Sequence, residues 1–130
     1  MSKFRGRCIK TGKWVYGSFW KTLHNSYILE LKDEIKPQNP ILIIPKTLGQ
    51  YSDVKDIDGK EIYDGDVVKN DVGDVGGINF DCGAFWINYY QEPSRQNLSD
   101  FVKYNVLTEE YYTKIKVIGK NALIDRAFPN

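Results

Sequence analysis

The chain has little of what most catalytic chemistry uses. It has one histidine, His24, and two cysteines, Cys8 and Cys82, in 130 residues. A lone histidine in the polar stretch Lys-Thr-Leu-His-Asn-Ser offers no Ser-His-Asp or Cys-His arrangement. The cysteines lie far apart, with no Cys-x-x-Cys and no Cys/His cluster, which argues against a metal site. Two buried thiols in a reducing cytoplasm are expected rather than a disulfide. No glycine-rich string is followed by Lys-Ser or Lys-Thr, so there is no phosphate loop. No apolar run approaches the ~20 residues that a spanning helix needs. Met1-Ser2-Lys3-Phe4 has no apolar stretch behind it, so no secretory signal is expected. The net charge is only +1, which supplies no large single-sign field for nucleic acid or anionic lipid. No cofactor and no membrane contact are expected, and the residues identify no small-molecule ligand.

What is abundant is aromatic: nine Tyr, six Phe and three Trp. With eleven Gly, this favours strands over helices. A chain of this length is one domain, residues 1–130. It buries roughly two-thirds of its unfolded surface, enough for a core without staples.

The organising stretch is Gln50 to Lys69, QYSDVKDIDGKEIYDGDVVK. It carries two Asp-Gly turns, Asp58-Gly59 and Asp64-Gly65, between short apolar runs. Such pairs suit type I′ hairpin turns, where both central residues need positive φ. Gly65 then leads into a strand through Asp66, whose carboxylate can accept turn amides. Gly59, Gly65 and Asp66 are therefore the structural turn residues.

Strands are expected at Phe4–Ile9, Trp14–Trp20, Tyr27–Leu31, Ile41–Ile44, Asp66–Lys69, Ile78–Phe80, Ala84–Tyr90 and Ile115–Gly119. Ile41–Ile44 reads as buried on both faces and ended by Pro45. Lys32–Pro40 and a mobile 70–77 segment read as loops. Leu98–Leu107 has helical spacing with Asn97 as cap, and Ala122–Phe128 reads as terminal helix or coil. The expected fold is mainly β: a small SH3-like, partly open β-barrel with additional strands and one short helix near the C-terminus.

Thr47-Leu48-Gly49-Gln50-Tyr51, Lys55-Asp56 and Asp58 to Val68 resemble the signature block of the YopX family of bacteriophage and prophage proteins. Phe4-Arg5-Gly6 and Trp14-Val15-Tyr16-Gly17 resemble its opening strands, Gly83-Ala84-Phe85 its middle strand and Val117-Ile118-Gly119 its closing one. Departures fall at Ser52 and in the tail from Lys120. The family has no established activity, so the resemblance implies a fold and a phage origin.

Charge is unevenly placed. Residues 1–21 hold Lys3, Arg5, Arg7, Lys10, Lys13 and Lys21 and no acid, interleaved with Phe4, Trp14, Tyr16, Phe19 and Trp20. Residues 52–74 carry eight acids against three lysines, a net −5. Aligned as an EF-hand, this acidic run has Val54 at position 1 and Gly65 at position 12, where ligands are needed, so that site is rejected. Turn capping and solvation explain its carboxylates. Two readings follow. One is a non-enzymatic cytoplasmic accessory protein that self-associates through sheet edges and opposite charges. The other is a weak binder of single-stranded nucleic acid, with cations along the backbone and aromatics under the bases. Arg5, Arg7, Lys13 and Trp14 are the contact residues in either case. A hydrolase using the turn carboxylates is the third reading.

Overall fold

The computed structural model describes residues 3–30, 39–92 and 94–120. Most of the 32–40 loop and the whole 122–128 piece read from the sequence lie outside these residues. Among those described, the strands are β1 (Phe4–Cys8), β2 (Trp14–Lys21), β3 (Ser26–Glu30), β4 (Ile41–Lys55), β5 (Glu61–Tyr63) and β6 (Asp66–Lys69). They continue with β7 (Val75–Asp81), β8 (Ala84–Tyr89), β9 (Arg95–Asn97), β10 (Lys103–Asn105), β11 (Glu110–Tyr112) and β12 (Lys116–Lys120).

Two sheets result. The first runs β1-β2-β3-β4-β11-β10, with β5 also on β4; the second runs β12-β6-β7-β8-β9. Because β4 pairs with both β3 and β1, strands β1 to β4 make a partial ring. The fold is thus mainly β, but as two sheets with a partial ring rather than one barrel.

The ring depends on the length of β4. Its first half pairs with β3 and β1, its second with β5 and β11. Pro45 does not end this strand. Arg7 faces Ile44 and Arg5 faces Gly49, so residues 45–48 bulge opposite Gly6 alone. A bulge is where a strand tolerates proline. Buried Thr47 closes the gap: its Oγ1 accepts the Arg7 amide N–H at 2.8 Å and donates to the Ile44 carbonyl at 2.6 Å. In Ile41–Ile44 only Ile43 is fully buried; its neighbours are half-exposed.

The core lies between the sheets. Val54 and Ile62 of the first sheet pack with Val68, Ile78, Ile87, Leu98 and Ile115. Ile78 and Ile87 are cross-strand partners on β7 and β8, both turned inward.

The turns follow a different chemistry from the one expected. Gly59 (φ 83°) and Gly65 (φ 94°) do take positive φ, but Asp58 and Asp64 do not. Neither turn is type I′. At 56–60 the Gly59 N–H bonds the Asp56 carbonyl and the Asp56 N–H bonds the Lys60 carbonyl. This is a three-residue hairpin loop closed by a left-handed glycine. Asp64-Gly65 joins strands of different sheets, carrying the chain from β5 across to β6. Positive φ at both central residues occurs instead at Cys82 (50°) and Gly83 (77°), between Asp81 and Ala84. Cys82 is therefore exposed, and only Cys8 is the buried thiol expected of both; both are free.

The 70–77 segment is also more ordered than its composition suggested. It repeats the 56–60 loop: Asn70 Oδ1 accepts the N–H groups of Val72 and Asp74, and Gly73 has φ 97°. Strand β7 already begins at Val75. Finally, the expected helix at 98–107 is a 3-10 turn, Leu98–Phe101. Asn97 caps it as read, accepting the Ser99 N–H, but Val102 is extended and β10 follows. Leu98 alone of the turn is buried, so there is one anchor rather than a helical stripe.

Candidate functional site at the junction of the sheets

The basic first strand and the acidic turn block meet inside one chain. Arg5 of β1 is 1% exposed and Asp66, opening β6, is 1% exposed. The guanidinium Nη1 donates to Asp66 Oδ1 at 2.6 Å, and Nη2 reaches the Asp64 carbonyl at 3.4 Å. The other Asp66 oxygen accepts the Tyr63 amide N–H at 2.7 Å. Arg5 lies between two rings, 4.7 Å from the centroid of Trp14 and 5.0 Å from that of Tyr63. Burial pushes the Asp66 carboxyl above the usual carboxylate range, and the Arg5 charge pulls it back only in part. Desolvation offsetting attraction is the general behaviour of buried pairs.

Around this pair runs a charged rim. Lys3 Nζ donates to both Glu61 oxygens, at 2.9 and 3.1 Å. The Tyr63 hydroxyl donates to Glu61 Oε1 at 2.9 Å. Lys120 Nζ stands 5.8 Å from the Trp14 centroid. Lys3, Glu61, Tyr63 and Lys120, with the Arg5–Asp66 pair and with Tyr16, Lys60 and Val117, line a cleft of about 340 Å³. Trp14 thus faces the cations of Arg5, Arg7 and Lys120.

A second tie was invisible to motif reading. Asp56 is 1% exposed. Its Oδ1 accepts the N–H groups of Asp58 and Lys60 at 2.9 and 2.8 Å. Its Oδ2 accepts the Val117 N–H of β12 at 2.9 Å. One carboxylate both shapes a loop of the first sheet and fastens the edge of the second. The available signal was the spacing Asx-x-x-Gly, present at 56–59 and again at 70–73.

The contact residues read from the sequence are dispersed. Arg7 is 2% exposed; its Nε donates to the Gly12 carbonyl at 2.6 Å. Arg5 and Arg7 therefore present no cationic surface. Lys13 is exposed and Trp14 half-buried. Gly59 and Gly65 stand in turns, and Asp66 opens β6. His24 lies exposed in the β2–β3 turn. Among the described residues, no three of His, Cys, Asp and Glu are grouped to hold a metal ion. Among them, too, no helix is long and apolar enough to cross a membrane.

The tyrosines of this face yield a pH test. Burial pushes the Tyr51 hydroxyl up to about 12, with Glu61, Asp53 and Glu110 adding to it. Burial, then the bond to Glu61, pushes Tyr63 up as well. Raised folded values mean that the neutral hydroxyl is favoured in the folded state. That stability is complete below the ordinary value near 10 and is lost as pH rises through about 12. Urea melts at pH 10 and 12 are expected to show the wild type losing more stability over that span than Tyr51→Phe, which has no proton to lose. Equal losses would contradict the placement of Tyr51.

A search of curated proteins finds no match. The model of the YopX protein family matches residues 3–121, nearly the whole chain, and the protein belongs to that family.

Proposed function

We propose that this protein is a non-enzymatic phage accessory factor, acting in the host cytoplasm, that works by self-association through the β10–β11 arm. The observation carrying this is the arm's apolar tip: Val106 is 76% and Leu107 95% exposed. Behind the tip, the Tyr104 and Tyr111 rings pack in a tilted pair with centroids 5.1 Å apart, each about half-exposed. The arm joins the first sheet by the parallel pairing of Tyr112 with Lys55, by the Thr113 N–H bond to the Lys55 carbonyl at 2.9 Å, and by the Lys55–Glu110 ion pair at 2.6 Å. β10 ends the strand order of its sheet. A terminal strand with an apolar tip is a ready template for another copy. Antiparallel pairing of two β10 strands about Tyr104 sets Lys103 against Asn105, so like charges do not oppose.

Opposite-charge assembly has less support, because Arg5–Asp66 and Lys3–Glu61 spend that complementarity within the chain. So does single-strand binding, with Arg5 and Arg7 buried. We read the partial ring of β1 to β4 as the SH3-like element of the fold.

Light scattering tests the arm. The mass is expected to exceed 15.0 kDa and to rise with concentration, and Leu107→Lys is expected to return it to the monomer with unchanged circular dichroism. A wild type that stays at the monomer mass across the micromolar range overturns the proposal.

A further inference from the structure

The cleft at the sheet junction has the charge and walls of a binding site. We propose that it takes a small phosphate monoester, its phosphate held by Lys60 and Lys120. Five segments contribute to it: Lys3 and Arg5 from the first strand and its lead-in, Tyr16 from β2, Lys60, Glu61 and Tyr63 from β5 and its turn, Asp66 from β6, and Lys120 from β12.

The charge balance identifies the ligand class. Arg5 is neutralised by Asp66 and Lys3 by Glu61. Among the described residues, neither Lys60 nor Lys120 has a carboxylate within ion-pairing distance. The lining therefore carries four cations, Lys3, Arg5, Lys60 and Lys120, against the two acids Glu61 and Asp66, and this surplus of two matches the roughly two charges of a phosphate monoester at neutral pH. Glu61, the acid on the rim, is engaged by both Lys3 and Tyr63, so its repulsion of an anion is muted. The volume, about 340 Å³, sits at the low end of small-molecule pockets. It fits a phosphorylated sugar or a mononucleotide, with Tyr16 as part of its wall.

The test is titration of the full chain at constant ionic strength with inorganic phosphate, ribose 5-phosphate and adenosine 5′-monophosphate, followed by amide NMR shifts. Saturable shifts confined to the cleft are expected, with Kd below about 1 mM for at least one monoester. Lys60→Gln and Lys120→Gln are each expected to weaken binding about tenfold, the worth of one charge-assisted bond. Lys21→Gln, an exposed lysine outside the cleft, is the control and should not change it. Tighter binding of the nucleotide than of the sugar phosphate assigns a base to the Tyr16 wall; equal binding leaves the phosphate as the recognised group. Shifts that never saturate, or a control variant weakened as much as the other two, overturn the site. None of these readouts depends on the mass of the assembly.

Discussion

Replacing Asp66 with alanine is expected to remove about 3–5 kcal/mol of stability, the usual cost of stranding one partner of a buried ion pair. Three things are lost together. The Arg5 guanidinium keeps its burial but loses its counter-ion at 2.6 Å. The Tyr63 N–H loses its acceptor. The entry of the chain into the second sheet loses its capping side chain. Asp66→Asn separates these contributions, since an amide oxygen can still accept from Tyr63 or from Arg5 but brings no charge. It is expected to fall between wild type and alanine in urea melts. Asp66→Ala within about 1 kcal/mol of wild type would mean that water already reaches Arg5.

Asp56→Ala is expected to be comparably severe, about 3–5 kcal/mol, because three backbone N–H groups lose a charged acceptor at once. The informative variant is Asp56→Asn. Asn70 already shapes an identical loop with an amide, accepting from residues 72 and 74. An asparagine at 56 can therefore keep the loop and lose only the bond to Val117. A cost of about 1–3 kcal/mol is expected for that single inter-sheet bond. Hydrogen exchange is expected to speed at the Val117 amide while those of Asp58 and Lys60 stay protected. Equal speeding at all three would show that the loop, not the link to β12, depends on the charge.

Both variants concern charge placement, which is where the sequence was hardest to interpret. Alternation made β1, β2, β7 and β8 legible, and Asp66 was correctly placed at the mouth of a strand. Glycines 59 and 65 were legible as left-handed positions, since few other residues take that conformation. Their turn types were not, because an Asp-Gly pair is compatible with several turns and the choice rests on which strand the chain joins next. Leu98, Phe101 and Val102 have helical spacing, yet the turn has one buried anchor and the strand-forming Tyr104 and Val106 follow. Pro45 looked like a terminator because a bulge cannot be seen without the partner strand. The arginines at 5 and 7 looked like a surface for the same reason. Period-two alternation gives the face of a strand, but it does not say that this face is covered by β4 and by the Trp14 ring. A run of cations without acids reads as a binding patch until its acids are found about sixty residues later in the chain. The pairs concerned are Arg5 with Asp66 and Lys3 with Glu61. With those charges paired within the chain, the self-association proposed above rests on the exposed arm and not on the basic first strand.

A double-mutant cycle on Arg5 and Asp66 tests most directly whether this clamp joins the two sheets. Stabilities are needed for wild type, Arg5→Met, Asp66→Leu and the pair combined. The expected result is two costly single variants and a double variant that recovers much of the loss, with a coupling of about 2 kcal/mol or more. Additive losses, with coupling near zero, would mean that the two side chains do not stabilise one another and that the sheets are held by the apolar core alone.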